Sequence, residues 1–121
     1  MIAGIGTDMC DITRIEKVMT ERGEQFVQRL LAPNEVAEPH SAHTYAKRFA
    51  AKEAVAKALG TGIGEKLSFK DIRVDHTPAG QPVVVLSAEA QKLIGPAGKV
   101  HLSLSDEGGF AIAFAIAERK D

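Results

Sequence analysis

The sequence predicts an α+β fold, in which an antiparallel sheet packs against one long buried helix and several shorter helices. Alternating apolar residues, which are typical of strands, occur at the start, in the middle and at the end of the chain. Stretches with helical spacing of apolar residues lie between them. The last two alternating stretches, 100–105 and 110–116, are separated by a short turn, which predicts an antiparallel hairpin. Strands and helices grouped in this way favour an α+β class.

The first part of the chain is predicted as a strand followed by helices. Residues 1–10 mix β-branched residues with two glycines and are predicted to form a strand. A helix is expected from Asp11 to about Arg22, where Gly23 breaks it. A second short helix over 26–31 precedes a proline, and 34–36 is expected to add one more turn.

The strongest helix prediction covers residues 41–59. Ser41 is a suitable N-cap, and Gly60 stands where helices often end in the left-handed conformation. Apolar residues occur almost all round this helix, so we expect it to be largely buried.

The second half of the chain is predicted to be mainly strands. Residues 72–75 alternate as in a strand, 77–80 form a turn, and 83–86 return as the second strand. Residues 87–94 are predicted to be a short helix that ends at a Gly-Pro pair.

Composition limits the classes of function. The chain has 121 residues, so residues 1–121 are expected to form a single domain. The formal net charge of −1 argues against nucleic-acid or membrane partners. Cys10 is the single cysteine and cannot form an internal disulfide, which fits a reducing compartment. With no signal peptide and no apolar run near the roughly 20 residues of a membrane span, we expect a cytoplasmic protein.

Two carboxylates are candidates for a metal site. Glu53 lies on an apolar side of the long helix, and Asp8 shares a strand face with Gly4 and Gly6. Together they would suit Mg²⁺, which uses one or two carboxylates and leaves other positions to water and phosphates. The alternatives are that Glu53 pairs with Lys57, that Asp8 caps the next helix, and that the glycines accommodate a packed helix.

Basic residues cluster on the same helix: Lys47, Arg48, Lys52 and Lys57. They indicate either a solvated face or a phosphate-binding patch. The glycine-rich loop 60–64 is expected first of all to end the helix, since phosphates prefer helix N-termini.

His101 shares a predicted strand face with Ser103 and Ser105. Their spacing does not predict a catalytic triad, because no third orienting group is evident. The other histidines show no zinc-ligand spacing.

Three motifs follow one another along the chain. They are Gly4-Ile5-Gly6-Thr7-Asp8 with Arg14-Ile15, then Arg48-Phe49-Ala50-Ala51-Lys52-Glu53-Ala54 with Lys57-Ala58 and Gly60-Thr61-Gly62-Ile63, and finally His101-Leu102-Ser103-Leu104-Ser105-Asp106-Glu107. In this order they resemble the motifs of the holo-(acyl carrier protein) synthases, a family of small trimeric phosphopantetheinyl transferases. Order, spacing and length all agree, so the resemblance covers nearly the whole chain.

The resemblance implies the phosphopantetheinyl transferase fold and a reaction. A serine of apo acyl carrier protein attacks the β-phosphate of coenzyme A, the 4′-phosphopantetheine arm is transferred, and adenosine 3′,5′-bisphosphate leaves. The cofactor would be Mg²⁺, the assembly a homotrimer with sites at subunit boundaries, and the wider role fatty acid biosynthesis. Such phosphoryl transfer needs positioning and charge stabilisation more than covalent help from the protein.

The resemblance also implies roles for individual residues. Asp8 and Glu53 would hold the metal, Glu53 and Lys57 would be catalytic, and Arg14 would contact the carrier protein. The expected substrate-binding residues are Arg48, Lys57, Gly60, Thr61, Gly62 and His101.

One position departs from part of the family. Asp106 stands where some members have a second histidine, so a role of that histidine cannot be transferred. The general base stays open between Glu53 and a water on the metal, and Asp106 is expected mainly to cap the turn before Gly108. A non-catalytic module that binds coenzyme A or a nucleotide is the main alternative, and a metal-dependent nuclease is a third.

Overall fold

The computed structural model describes residues 1–120, which form three α-helices, five strands and a short 3-10 helix (Phe69–Asp71). In chain order the α-helices and strands are β1 (Ile2–Asp11), α1 (Ile12–Leu30), α2 (Ala42–Ala58), β2 (Ile72–His76), β3 (Pro82–Leu86), α3 (Ala88–Gln91), β4 (Lys99–Glu107) and β5 (Phe110–Glu118). The α+β prediction is confirmed, as is the position of every predicted strand to within a few residues. No helix in these 120 residues is long and apolar enough to cross a membrane.

The strands form two antiparallel sheets. β5 lies between β1 and β4 in the larger sheet, and β2 pairs with β3 in a hairpin. In the larger sheet Asp8 lies opposite Ala113, which lies opposite Leu104 on the other side. The alternate alanines of β5 are fully buried on the face that carries Asp8. Helix α2 covers this face, and the opposite face of the sheet carries exposed apolar side chains.

Helix α2 begins and ends as its sequence predicts. The Ser41 hydroxyl accepts a hydrogen bond from the Thr44 N–H at 3.2 Å, and Gly60 follows the helix with a positive φ of 89°. Ten of the helix residues are buried, because both sheets and α1 surround it. The prediction of a long buried helix is therefore confirmed.

Helix α1 differs from the prediction of two separate helices. It runs from Ile12 to Leu30, and only Arg22, with φ −145° and ψ 39°, leaves helical geometry. The predicted break at Gly23 is thus a kink one residue earlier. The predicted turn of helix at 34–36 is wrong: Asn34, at φ 65°, belongs to a non-helical turn.

The final hairpin turns later than the sequence suggested. Strand β4 continues through Glu107, so Gly108 and Gly109 alone make the turn, both with positive φ. Asp106 is therefore a strand residue. Helix α3 is a single turn of four residues, shorter than the predicted 87–94.

Candidate functional site

The two glycines of β1 bring α2 very close to the strand. A Cβ built on Gly4 would lie 2.0 Å from the Ala58 carbonyl oxygen, and one on Gly6 would lie 2.0 Å from that of Ala54. The glycines therefore accommodate the helix, as one of the two interpretations of the sequence held. Asp8 is the next residue on this strand face. The close packing consequently places its carboxylate beside the middle of α2.

Asp8, Glu53 and Lys57 come together at this point. The Lys57 ammonium lies 3.3 Å from the Asp8 Oδ1 atom and donates a hydrogen bond to the Thr7 carbonyl at 2.9 Å. Lys57 therefore pairs with Asp8, and not with Glu53 as the i, i+4 alternative proposed. Asp8 does not cap α1 either, since the Asp11 carboxylate accepts the Thr13 N–H at 2.9 Å.

Glu53 is half-buried on α2 and interacts electrostatically with the Asp8 carboxylate. Burial first, and then the neighbouring Asp8 carboxylate, raise the pKa of Glu53 above its usual value. Lys57 and Arg14 act in the opposite direction on the pKa of Glu53. Two neighbouring carboxylates that repel each other are an arrangement in which a divalent cation would remove an unfavourable interaction.

The carboxylates of Asp8 and Glu53 are suited to a metal ion that also binds the substrate. Within residues 1–120, no group of three or more His, Cys, Asp or Glu side chains is placed to hold a metal ion. Mg²⁺ is commonly bound by one or two carboxylates, with phosphate oxygens and water completing its octahedron. The Asp8–Glu53 pair fits that chemistry and does not resemble a metal cage made by protein alone.

Arg14 borders the same site. Its guanidinium carbon lies 5.8 Å from the centre of the Phe49 ring, and it lines a groove of about 330 Å³ together with apolar residues of α1. The groove is lined by Arg14, Ile15, Val18, Phe26, Arg29, Leu30, Phe49, Glu53, Ile63 and Phe69. Glu53 and two arginines thus line one largely apolar groove.

The Gly60–Gly62 loop ends α2, as predicted. The Gly60 N–H donates to the Lys57 carbonyl at 3.0 Å, and the Thr61 and Gly62 N–H groups donate to the Ala56 carbonyl. The Thr61 hydroxyl donates to the Gly62 carbonyl at 2.9 Å. All three amides are already used, so a phosphate cradle of these N–H groups is not present. The predicted substrate contact at this loop stays a prediction and would use its open outer surface.

The basic cluster on α2 does not form one surface. Lys52 is completely buried, where it contacts Glu35, and burial lowers the pKa of Lys52. The interpretation of all four basic residues as a phosphate patch or as a solvated face is therefore wrong for Lys52. Arg48 is also largely buried, but it lines a pocket of about 700 Å³. This Arg48 pocket is bounded by Asn34, Val36, Glu38, Pro39, Thr44, Lys47, Arg48, Asp75, His76 and Leu104.

His101 does not join Asp8 and Glu53 within one chain. It lies opposite Ile116, on the sheet face that points away from α2, and its Nε2 atom lies 3.0 Å from a Glu118 carboxylate oxygen. Asp106 is on the α2 side, where its carboxylate lies 3.8 Å from the Lys47 ammonium. The structure records no contact from the Asp106 side chain to the turn, so this ion pair replaces the predicted cap.

Sequence reasoning missed Glu35. It was assigned to a helical turn, but its side chain is fully buried and bonds to both Arg48 and Lys52. A usable signal was present, because Glu35 lies in a largely apolar stretch that precedes a helix rich in basic residues, and such a glutamate is a candidate for a buried ion pair.

Comparisons with known proteins agree with this geometry. The model of the ACPS family, described as the 4′-phosphopantetheinyl transferase superfamily, matches residues 4–115. A holo-[acyl-carrier-protein] synthase of Vibrio parahaemolyticus is 46% identical over 97% of this chain and 98% of its own length. One from Vibrio cholerae is 42% identical over 99% of this chain and all of its own length.

Solved structures give the same result. The holo-[acyl-carrier-protein] synthase of Neisseria meningitidis has a TM-score of 0.87 and 39% identity, covering 98% of this chain and 100% of that one. The Helicobacter pylori enzyme, solved in complex with coenzyme A, has a TM-score of 0.84 and 36% identity, covering 94% and 99%. The chain therefore belongs to the holo-[acyl-carrier-protein] synthase family of the 4′-phosphopantetheinyl transferase superfamily.

Proposed function

We propose that this chain transfers the 4′-phosphopantetheine arm of coenzyme A to a serine of apo acyl carrier protein and thereby supports fatty acid biosynthesis. The observation that carries the proposal is the meeting of Asp8, Glu53 and Lys57 beside the open groove, in a chain of this family. Relatives named for this activity match over almost their whole length, and one was solved with coenzyme A. With its single thiol, Cys10, the protein fits the cytoplasm.

Each residue of the site has a separate proposed role in phosphoryl transfer. The serine oxygen forms a bond to the β-phosphorus while the bond from that phosphorus to the oxygen bridging the two phosphates breaks, which releases adenosine 3′,5′-bisphosphate. Asp8 and Glu53 would hold Mg²⁺, which supplies positive charge to the pyrophosphate when bound. Lys57 adds an ammonium for the charge that grows on the leaving phosphate. Glu53 is a proposed acceptor of the serine proton, because it is a carboxylate at the place where the phosphates would be held.

Arg14 is the proposed contact for the carrier protein. It lines the groove that Glu53 also lines, and a guanidinium there would attract an acidic partner. The apolar lining of the groove offers a surface for an uncharged side chain or for the pantetheine arm.

We also propose a trimer with shared sites. Helix α2 leaves no apolar surface for a neighbour to cover, because its own chain buries it. The support comes from the sheet face away from α2, where Ile5, Met9 and Phe114 are 62%, 61% and 45% exposed. His101 lies on this same face, so a neighbouring chain is what would bring it to an Asp8–Glu53 pair.

Mixing two inactive variants tests the shared site. Glu53→Gln and His101→Ala should each be inactive alone, but trimers reassembled from both should regain activity, because some boundaries would contain two intact faces. No recovery after verified subunit exchange would contradict a site built from two chains.

Two charge-removing variants test the metal assignment. Asp8→Asn and Glu53→Gln should lose most turnover at saturating coenzyme A and Mg²⁺ while keeping a native circular dichroism spectrum. Glu16→Gln is the matched control, since Glu16 is an exposed carboxylate of α1. Chelation of divalent metal should abolish wild-type turnover, and Mg²⁺ should restore it. Near-normal turnover of either variant at low Mg²⁺ would refute the assignment.

A further inference from the structure

A buried charge cluster lies between α2, the loop after α1, and β2. We call it the Glu35 cluster; it consists of Glu35, Arg48 and Lys52. The Glu35 side chain has no solvent exposure and accepts four hydrogen bonds. The donors are the Ala32 N–H at 2.8 Å, the Lys52 ammonium at 2.6 Å, the Arg48 Nη1 group at 2.8 Å and the Val74 N–H at 3.2 Å.

The charges of the cluster do not cancel. One carboxylate faces two cations, so the cluster keeps a net positive charge in an interior where unpaired charge is costly. Lys52 has no exposed surface, and its ammonium also donates to the Leu30 and Phe69 carbonyls. Of the two cations, only Arg48 can therefore contact a ligand.

Arg48 is held by one end of its guanidinium and open at the other. Its Nη1 group donates to Glu35 and to the Val74 carbonyl, both at 2.8 Å. Its Nε and Nη2 groups have no hydrogen-bond partner within residues 1–120. In the same residues every buried side-chain nitrogen has a hydrogen-bond partner. These two groups must therefore reach the solvent, which enters through the Arg48 pocket.

The pocket around these donors is suited to an anion. Lys47 lines it beside Arg48, and His76 lies at its wall. Nε and Nη2 lie on one edge of a planar guanidinium, which is the geometry that grips two oxygens of a phosphate. Glu38 and Asp75 also line the pocket, so the position of the arginine matters more than the overall charge.

We propose that Glu35 is a positioning residue that fixes Arg48 so that its two free donors face a phosphate of the nucleotide end of the substrate. The inference rests on the proposed function and on the family resemblance, which implies that Arg48 binds coenzyme A. Glu35 itself touches no substrate. Its carboxylate sets the orientation of the guanidinium, as neighbouring hydrogen-bond partners do for many ligand-binding side chains.

The substitution Glu35→Gln gives a test with a definite sign. Removing a negative charge close to the pocket should by simple electrostatics tighten anion binding. If Glu35 positions Arg48, the KM for coenzyme A should instead rise about tenfold, the usual size for a lost charge-assisted hydrogen bond. The kcat should change less than about twofold, because Asp8, Glu53 and Lys57 are untouched. Glu38→Gln, at an exposed carboxylate of the same pocket, should leave the KM unchanged or lower it.

A double-mutant cycle with Arg48→Gln separates positioning from general destabilisation. If Glu35 acts through Arg48, the KM of Arg48→Gln should not rise further when Glu35→Gln is added. An unchanged KM in folded Glu35→Gln, or fully additive effects, would overturn the inference. A wild-type protein that forms no holo carrier protein would instead refute the proposed function.

A second variant and a wild-type measurement cover the case in which Glu35→Gln does not fold. Glu35→Asp keeps the negative charge but has a shorter side chain, so it should raise the KM for coenzyme A in the same way. Without any substitution, adenosine 3′,5′-bisphosphate should shift the Arg48 Nε–H signal in a ¹⁵N NMR spectrum and leave Lys52 unaffected. An Arg48 signal that does not respond at saturation would contradict the inference.

Discussion

Replacing Gly6 by alanine is the most direct test of how the site is assembled. The new methyl group would lie 2.0 Å from the Ala54 carbonyl oxygen, where ordinary contact begins at 3.4 Å. It would also meet the Ala58 nitrogen at 2.8 Å and the Lys57 Cβ at 2.9 Å. Because two of these atoms are backbone, no side-chain rotation relieves the clash. The helix and the strand must separate by roughly 1 Å or more.

The expected cost follows from this separation. Overpacking in a well-packed core destabilises by about 1–3 kcal/mol, and a backbone clash belongs at the upper end. For a chain of this size we expect the melting temperature to fall by about 10 °C. Turnover should fall by about 100-fold in the folded variant, because a displacement of about 1 Å between catalytic groups has that effect.

Urea unfolding followed by circular dichroism, at one fixed protein concentration, measures the first effect, and turnover at saturating substrates measures the second. Gly23→Ala is the matched control, since nothing lies within 4 Å of its added methyl group and it lies in α1. Alanine there should stabilise by up to about 1 kcal/mol. Wild-type stability and turnover in Gly6→Ala would refute the claim that close helix packing creates the site.

Three further predictions concern the rim of the site and its charges. Arg14→Glu should raise the KM for carrier protein and leave that for coenzyme A unchanged, and the wild-type carrier KM should rise with salt; a change in the coenzyme A KM alone would contradict this. Asp106→Asn should lower turnover by less than about tenfold, since its pair with Lys47 is 3.8 Å long and exposed to solvent, and a loss of several orders of magnitude would place it in the catalytic machinery. Burial, Arg48 and Lys47 lower the pKa of His76 in the folded protein. The imidazole of the unfolded chain therefore binds a proton at a higher pH than that of the folded protein, so the free energy of unfolding should fall as the pH drops below about 6.5. NMR titration should show a higher pKa for His76 in Lys47→Gln, and an unchanged value would exclude the Lys47 contribution.

Local features were the most predictable part of the fold. Ser41 and Gly60 mark the ends of α2 because capping chemistry depends on a few neighbouring residues. The period-2 pattern of β5 likewise placed its alanines on one face and its phenylalanines on the other. The site pair Asp8 and Glu53 came from the same kind of pattern, combined with the family resemblance.

Contacts between distant parts of the chain were less predictable. Glu35 meets Arg48, Lys52 and Val74, which lie 13, 17 and 39 residues away, and no local pattern encodes those partners. His101 was assigned to the substrate site, but only the strand register shows that it lies on the face away from α2. Its motif describes a position in the sequence and does not show on which face of the sheet the side chain lies.

The central claim is best tested by the intact mass of a carrier protein. Purified wild-type protein, coenzyme A, Mg²⁺ and apo acyl carrier protein should yield a carrier heavier by one phosphopantetheinyl group, together with an equal amount of adenosine 3′,5′-bisphosphate. The increase should disappear when the acceptor serine of the carrier is replaced by alanine. An unchanged carrier mass, in a sample that binds coenzyme A, would contradict the account and favour a non-catalytic binding module.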